Sequence, residues 1–179
     1  MPYTEDVDLF PLMEELLDCL CTEITSSGLP AVCRCELMPG GSYVLDFTPD
    51  HASMGNGQAW VRLVAAGATF PGDVGDNQSP IILTTRCGTG LVYELEMGVS
   101  RCEPVGVTRN NKYTPPTAAE QHEAVRLYAA DLAAMKRAVL CCFKDKLGDD
   151  VEIGLGVYQP LQSEGGVGGG VWQVFVRRS

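Results

Sequence analysis

The chain is poor in histidine, in basic residues and in long apolar runs. It has two histidines, His51 and His122, in 179 residues, too few and too far apart in sequence to complete a recognisable metal or proton-relay site. Lysine and arginine total 13 against 23 acids, a formal net charge of −10. That balance argues against nucleic-acid recognition, which needs a basic footprint. No apolar run approaches the roughly 18 residues of a membrane span. The first residues carry no basic stretch leading into an apolar core, so no secretory signal is expected. The expected setting is a reducing cytoplasm, where disulfides are rare.

Hydrophobic residues make up 45% and charged residues 20%, the proportions of an ordinary globular protein. Such a length supports one domain with its own core, and residues 1–179 read as a single domain. The acids are uneven. Glu5, Asp6, Asp8, Glu14, Glu15, Asp18 and Glu23 all precede the first basic residue, Arg34.

Cysteine is not scarce. Four of the eight sit in "DCLCTEITSSGLPAVCRC" as Cys19, Cys21, Cys33 and Cys35. Residues 7–26 carry Leu9, Met13, Leu16, Leu20 and Ile24 at helical spacing, with Asp6 or Asp8 as caps, Pro11 in the first turn and Gly28 as a stop. On that helix Cys19 and Cys21 lie about 200° apart, so they cannot share one ion. Cys33 and Cys35 fall in an alternating strand, "AVCRCELM". A zinc ribbon needs C-x2-4-C pairs on tight turns. The expectation is therefore eight reduced cysteines and no metal.

Strands are expected between residues 31 and 104. The first two, 31–38 and 42–49, should form a hairpin about "PGG"; the others are 58–70, "IILTTRC" and "LVYELEMGVSRCEP", the last with one apolar and one mostly polar face. Residues 71–80 and 105–116 read as loops. Thr117 and Glu120 form a capping box ahead of a helix over 118–146, with Val125, Tyr128, Leu132, Met135, Val139 and Cys142 as its apolar stripe. Residues 151–178 close the chain as a terminal hairpin, with "SEGGVGGGVW" as its flexible turn; its glycines match neither a dinucleotide nor a P-loop spacing. The order predicts an α+β domain: a mostly antiparallel sheet of about six to seven strands, an N-terminal helix, and one long helix before the last two strands.

A Cys/His nucleophile is possible on composition, with His51 in "PDHASMGNG" and Asp46 or Asp50 to orient it. Nothing local marks a cysteine as activated, so no catalytic residue is assigned. His122 reads as a solvated helix residue, and the cysteine-based metal adaptor is the weakest reading.

Four segments go further: "DLFPLMEELLDCLC", "CGTGLVYELEMGVSRCEPV", "EQHEAVRLYAADLAAMKRAVLCCF" and "GGVGGGVWQVFV". Together, from Val7 to Val176, they resemble the tail terminator (head-tail joining) proteins of long-tailed phages infecting actinobacteria. The resemblance implies a small α+β subunit that forms a ring, usually of six, caps the tail tube, stops its polymerisation and docks to the connector. It implies no reaction, cofactor or membrane. The partners would be further copies of the chain, the tail tube protein and the connector or stopper protein. Genome DNA would pass through the channel without specific binding. The place would be the virion neck, assembled in the host cytoplasm. A head-tail stopper and a small cytosolic Cys/His enzyme are the alternatives. Interface candidates are Gly72, Asp73, Asp76 and Asn77 in the first long loop, and Arg109 and Lys112 in the second.

Overall fold

The computed structural model describes residues 9–40, 57–67, 91–109, 111–148, 151–164 and 166–178. The chain opens with helix α1, Leu9–Ser26. Leu12, Met13, Leu16, Cys19, Leu20 and Ile24 recur every three or four residues, and all are buried. Each fully buried leucine there stabilises the fold by about 1.5–3 kcal/mol. Pro11 falls in the first turn, where its missing N–H has no partner to lose. Gly28 ends the helix at φ 68, a conformation that only a residue without Cβ adopts freely.

Strands β1 (Val32–Met38), β2 (Gly57–Gly67) and β3 (Val92–Cys102) follow, then the short β4 (Val107–Arg109) and β5 (Lys112–Thr114). Helix α2 spans Ala118–Arg137, continues through a π-helical segment, Ala138–Phe143, and ends in α3, Lys144–Leu147. Strands β6 (Val151–Glu164) and β7 (Val167–Arg178) complete the chain. The main sheet has the order β1-β2-β3-β7-β6, and β4 pairs with β5 alone. The architecture is α+β, with an N-terminal helix and a long helix before the last two strands, as the sequence predicts. The sheet is mixed rather than antiparallel throughout, because β1 runs parallel to β2. The partner expected for β1, residues 42–49, lies outside the described residues, as does "IILTTRC".

The helices cover one face of the sheet. Ala59 and Val61 of β2, Tyr93, Leu95, Met97 and Val99 of β3, and Val174 and Val176 of β7 form one core with α1 and with Ala134, Met135, Ala138, Val139 and Phe143. The opposite face holds a smaller cluster of Met38, Trp60 and Val171. The Trp60 ring lies over Gly98, where any Cβ would collide with it. Several polar side chains of that face are paired rather than simply solvated. Arg62 donates to both oxygens of Glu96, directly opposite it, at 2.7 and 3.0 Å. Gln58 donates to Glu36 at 2.6 Å and Gln173 to Glu94 at 3.0 Å. The polar face expected of β3 exists, but as the central strand it is largely buried on both sides.

The α2 stripe departs from the expected one at two of its positions, in each case by a shift of one residue. Ala124 and Asp131 turn inward, while Val125 is 64% exposed and Leu132 only half-buried. The phase is set by a buried ion pair at Asp131, described below. From Ala134 onward the apolar positions take over. Helix α2 starts where the capping box placed it: the Glu120 N–H donates to Thr117 Oγ1 at 3.2 Å, and the Thr117 N–H donates to Glu120 Oε2 at 2.7 Å. The Thr117 N–H and then the Thr117 hydroxyl, both donating to the carboxylate, hold the Glu120 carboxyl below its usual pKa. Thr117→Ala is expected to cost about 1 kcal/mol, read as a fall in the urea midpoint.

Three acids of α1 find counterions in the second half of the long helix. Lys146 lies 2.5 Å from Glu15 and 2.7 Å from Asp18, and Arg137 lies 2.8 Å from Glu23. Lys144 donates to the carbonyls of Gly148 and Val151 and so fixes the turn into β6.

The cysteines correct the expectation of eight free thiols. Cys19 is bonded to Cys142 of the π-helical segment, and Cys21 to Cys35 of β1. Cys19 and Cys21 lie on different faces of α1, as the helical spacing predicts. Each face meets its own partner cysteine, one of them 123 residues away. Cys33, Cys102 and Cys141 are free.

Candidate functional site

Two features qualify, one buried and one exposed. The buried one forms where α2 crosses the end of β3. Arg101 is the last core-facing residue of β3, and its side chain is 1% exposed. Its Nε and Nη2 donate to the two carboxylate oxygens of Asp131, each at 2.6 Å, and its Nη1 donates to the Pro30 carbonyl at 2.8 Å. Burial pushes the Asp131 carboxyl up, and the hydrogen bonds and charge of Arg101 pull it back only in part. One turn earlier on α2, the Tyr128 hydroxyl donates to Glu103. Burial, then that hydrogen bond, raises the Tyr128 phenol well above its ordinary value. Tyr158 completes the group, packed edge-to-face on Trp172 with ring centroids 6.0 Å apart. Its phenol is raised too, mainly by burial.

This cluster rests on the glycine run of β7. Gly168, Gly169 and Gly170 are strand residues, not the flexible turn expected from the sequence. A Cβ at Gly168 would fall on Glu103 and Tyr128, and one at Gly170 on the Tyr158 hydroxyl. The glycines make a flat floor for three polar side chains. The hydrogen bonds run inward, between cluster members and backbone, so the arrangement fixes α2 against the sheet.

The exposed feature is the β4–β5 hairpin, within a segment expected to be loop. Residues of β-branched and aromatic type flank an Asn-Asn pair, and Asn111 takes φ 60, which asparagine tolerates better than other side chains. The register sets Arg109 directly opposite Lys112 next to the turn. Lys112 is exposed and Tyr113 is 62% exposed, its ring against Gly106. Of the expected interface residues, the structure thus brings Arg109 and Lys112 together. Gly72, Asp73, Asp76 and Asn77 lie outside the described residues, as does His51. His122 is exposed on α2.

An open groove of about 420 Å3 runs between the end of α1 and α2, lined by Glu23, Ser26, Ser27, Ala130, Ala133 and Arg137. Arg137 is engaged there by Glu23 and Ser27. Among the described residues no group of three or more His, Cys, Asp or Glu side chains is placed to hold a metal ion. No helix among them is long and apolar enough to cross a membrane. Sequence reasoning missed the Arg101–Asp131 pair; the one local signal is that Asp131 falls three residues after Tyr128 and four before Met135, in line with the apolar stripe. No protein-family model and no curated protein matches the chain.

Proposed function

We propose that this chain is a structural ring subunit of a phage neck, a tail terminator that caps the tail tube, stops its polymerisation and docks to the connector. The observation that supports this best is the β4–β5 hairpin. It forms a sheet of its own, with an exposed aromatic residue and two basic residues paired next to its turn. From Val105 to Thr114 the segment has no acid, whereas the whole chain carries −10. A basic arm on an acidic body suits a head-to-tail contact, in which the arm of one copy meets the acidic surface of the next. Such a contact closes into a ring when its rotation allows. The resemblance of the sequence supports the biological identity, and the hairpin offers a surface suited to the contact. On this reading the protein has no reaction to perform, needs no cofactor, and sits in the virion neck. Genome DNA passes its bore without specific binding, because an acidic wall repels a polyanion.

The experiment is sedimentation and negative-stain imaging of the full chain at low and high salt, alone and with tail tube protein. Rings that dissociate as salt rises are expected, since screening shortens the reach of surface charge to about 8 Å at physiological ionic strength. Arg109→Glu with Lys112→Glu should abolish the rings and leave the melting temperature unchanged. A wild-type chain that stays monomeric under every condition, and binds neither tail tube nor connector protein, would sink the reading.

A further inference from the structure

The two disulfides leave α1 from positions two residues apart and end in different surroundings. Cys19 is fully buried, and its partner Cys142 is partly buried against the core. Cys21 is only partly buried, and Cys35 is exposed on β1, an edge strand of the five-stranded sheet among the described residues. Thiol–disulfide exchange needs a thiolate to reach one sulfur in line with the bond, so access decides which bridge reacts. We propose that Cys21–Cys35 is a thiol-exchange site, opened by dithiol reductants through attack on Cys35, while Cys19–Cys142 is a permanent staple.

The chemistry balances without a further reactant. A thiolate of the dithiol attacks Cys35 Sγ, the Cys21–Cys35 bond breaks, and Cys21 leaves as a thiolate that takes a proton. The second thiolate of the reductant then attacks its own sulfur in the mixed disulfide and releases Cys35. Two electrons pass to the protein, and the reductant leaves as a disulfide. The neighbouring free thiols fit this division. Cys33 is exposed two residues from Cys35, open to the same reagents. Cys102 is half-buried, and its thiol is raised by burial first and by Cys33 second, which keeps it protonated and a poor nucleophile. Opening frees the edge strand β1 from α1, while α1 stays tied to the long helix.

The test is independent of the ring reading. The full-length protein is incubated with graded dithiothreitol, alkylated without denaturant, and mapped by peptide mass spectrometry. Without reductant, Cys33 and Cys141 should label, and Cys19, Cys21, Cys35 and Cys142 should not. With reductant, Cys21 and Cys35 should label at concentrations at least tenfold below those that expose Cys19 and Cys142. The Cys21→Ser/Cys35→Ser variant should remain folded by circular dichroism and show no further thermal shift at those low concentrations. Simultaneous opening of both bridges, earlier opening of Cys19–Cys142, or a Cys21–Cys35 bridge that opens only on unfolding would each overturn the proposal.

Discussion

Asp131→Ala is expected to destabilise the protein by about 3–5 kcal/mol, because it leaves a buried guanidinium without its counterion. Arg101 and Asp131 have side chains 1% and 5% exposed, so water cannot replace the lost carboxylate without opening the α2–sheet contact. The Pro30 carbonyl would still accept one hydrogen bond from Arg101, but it carries no charge. For a chain of this length the loss corresponds to a fall in melting temperature on the order of 10 °C. The raised Asp131 carboxyl adds a second expectation. Its proton is held more tightly in the folded state than in the unfolded one, because burial outweighs the attraction of Arg101. The group therefore contributes stability below the ordinary aspartate range, and that contribution is lost as pH rises through its folded pKa. Ionisation of Asp131 in the folded state is thus a net cost. Arg101→Met combined with Asp131→Leu should come back close to wild type in a urea titration, far above either single change. If Asp131→Ala alone costs under 1 kcal/mol, the pair is solvated and does not set the phase of α2.

That pair also shows where sequence reasoning reaches its limit. The start of α2 was legible because a capping box is a contact between residues three apart. The apolar periods of α1 and β3 were legible for the same reason, since helix and strand repeats are local. The inward phase of α2 was not, because it is decided by Arg101, thirty residues earlier in the chain. Counting apolar residues favoured Val125 and Leu132, and one buried carboxylate turned that part of the helix by a residue. The parallel pairing of β1 with β2 was equally non-local. The β4–β5 hairpin has a local signal, Asn-Asn between Thr-Arg and Lys-Tyr, but strands of three residues each do not stand out from a loop. Charge marks Arg109 and Lys112 singly; the register that makes them backbone partners comes only with the hairpin.

Cys142→Ser is the second change with a large expected effect, about 5 kcal/mol. A cross-link stabilises chiefly by restricting the unfolded chain, and the restriction grows with the logarithm of the loop it closes: about 3 kcal/mol for 15 residues and about 4.7 for 100. Cys19 and Cys142 are separated by 123 residues, Cys21 and Cys35 by 14. The longer bridge ties the first helix to the π-helical segment and encloses all of β1 to β5. Its removal also leaves the Cys19 thiol in a site from which solvent is excluded, next to Leu16 and Leu20 in the same core. Cys35→Ser should cost about 3 kcal/mol by the same reasoning, and less if α1 is held in register by the remaining bridge. The two variants should therefore rank with Cys142→Ser well below Cys35→Ser in urea midpoint. Under strong reductant the wild type should fall by more than either variant does when oxidised, because both restrictions are then lifted. Equal midpoints for the two variants would show that loop entropy is not what these bridges contribute. A wild type whose midpoint is unmoved by reductant would show that the buried core alone, from Leu16 to Phe143, holds α1 in place.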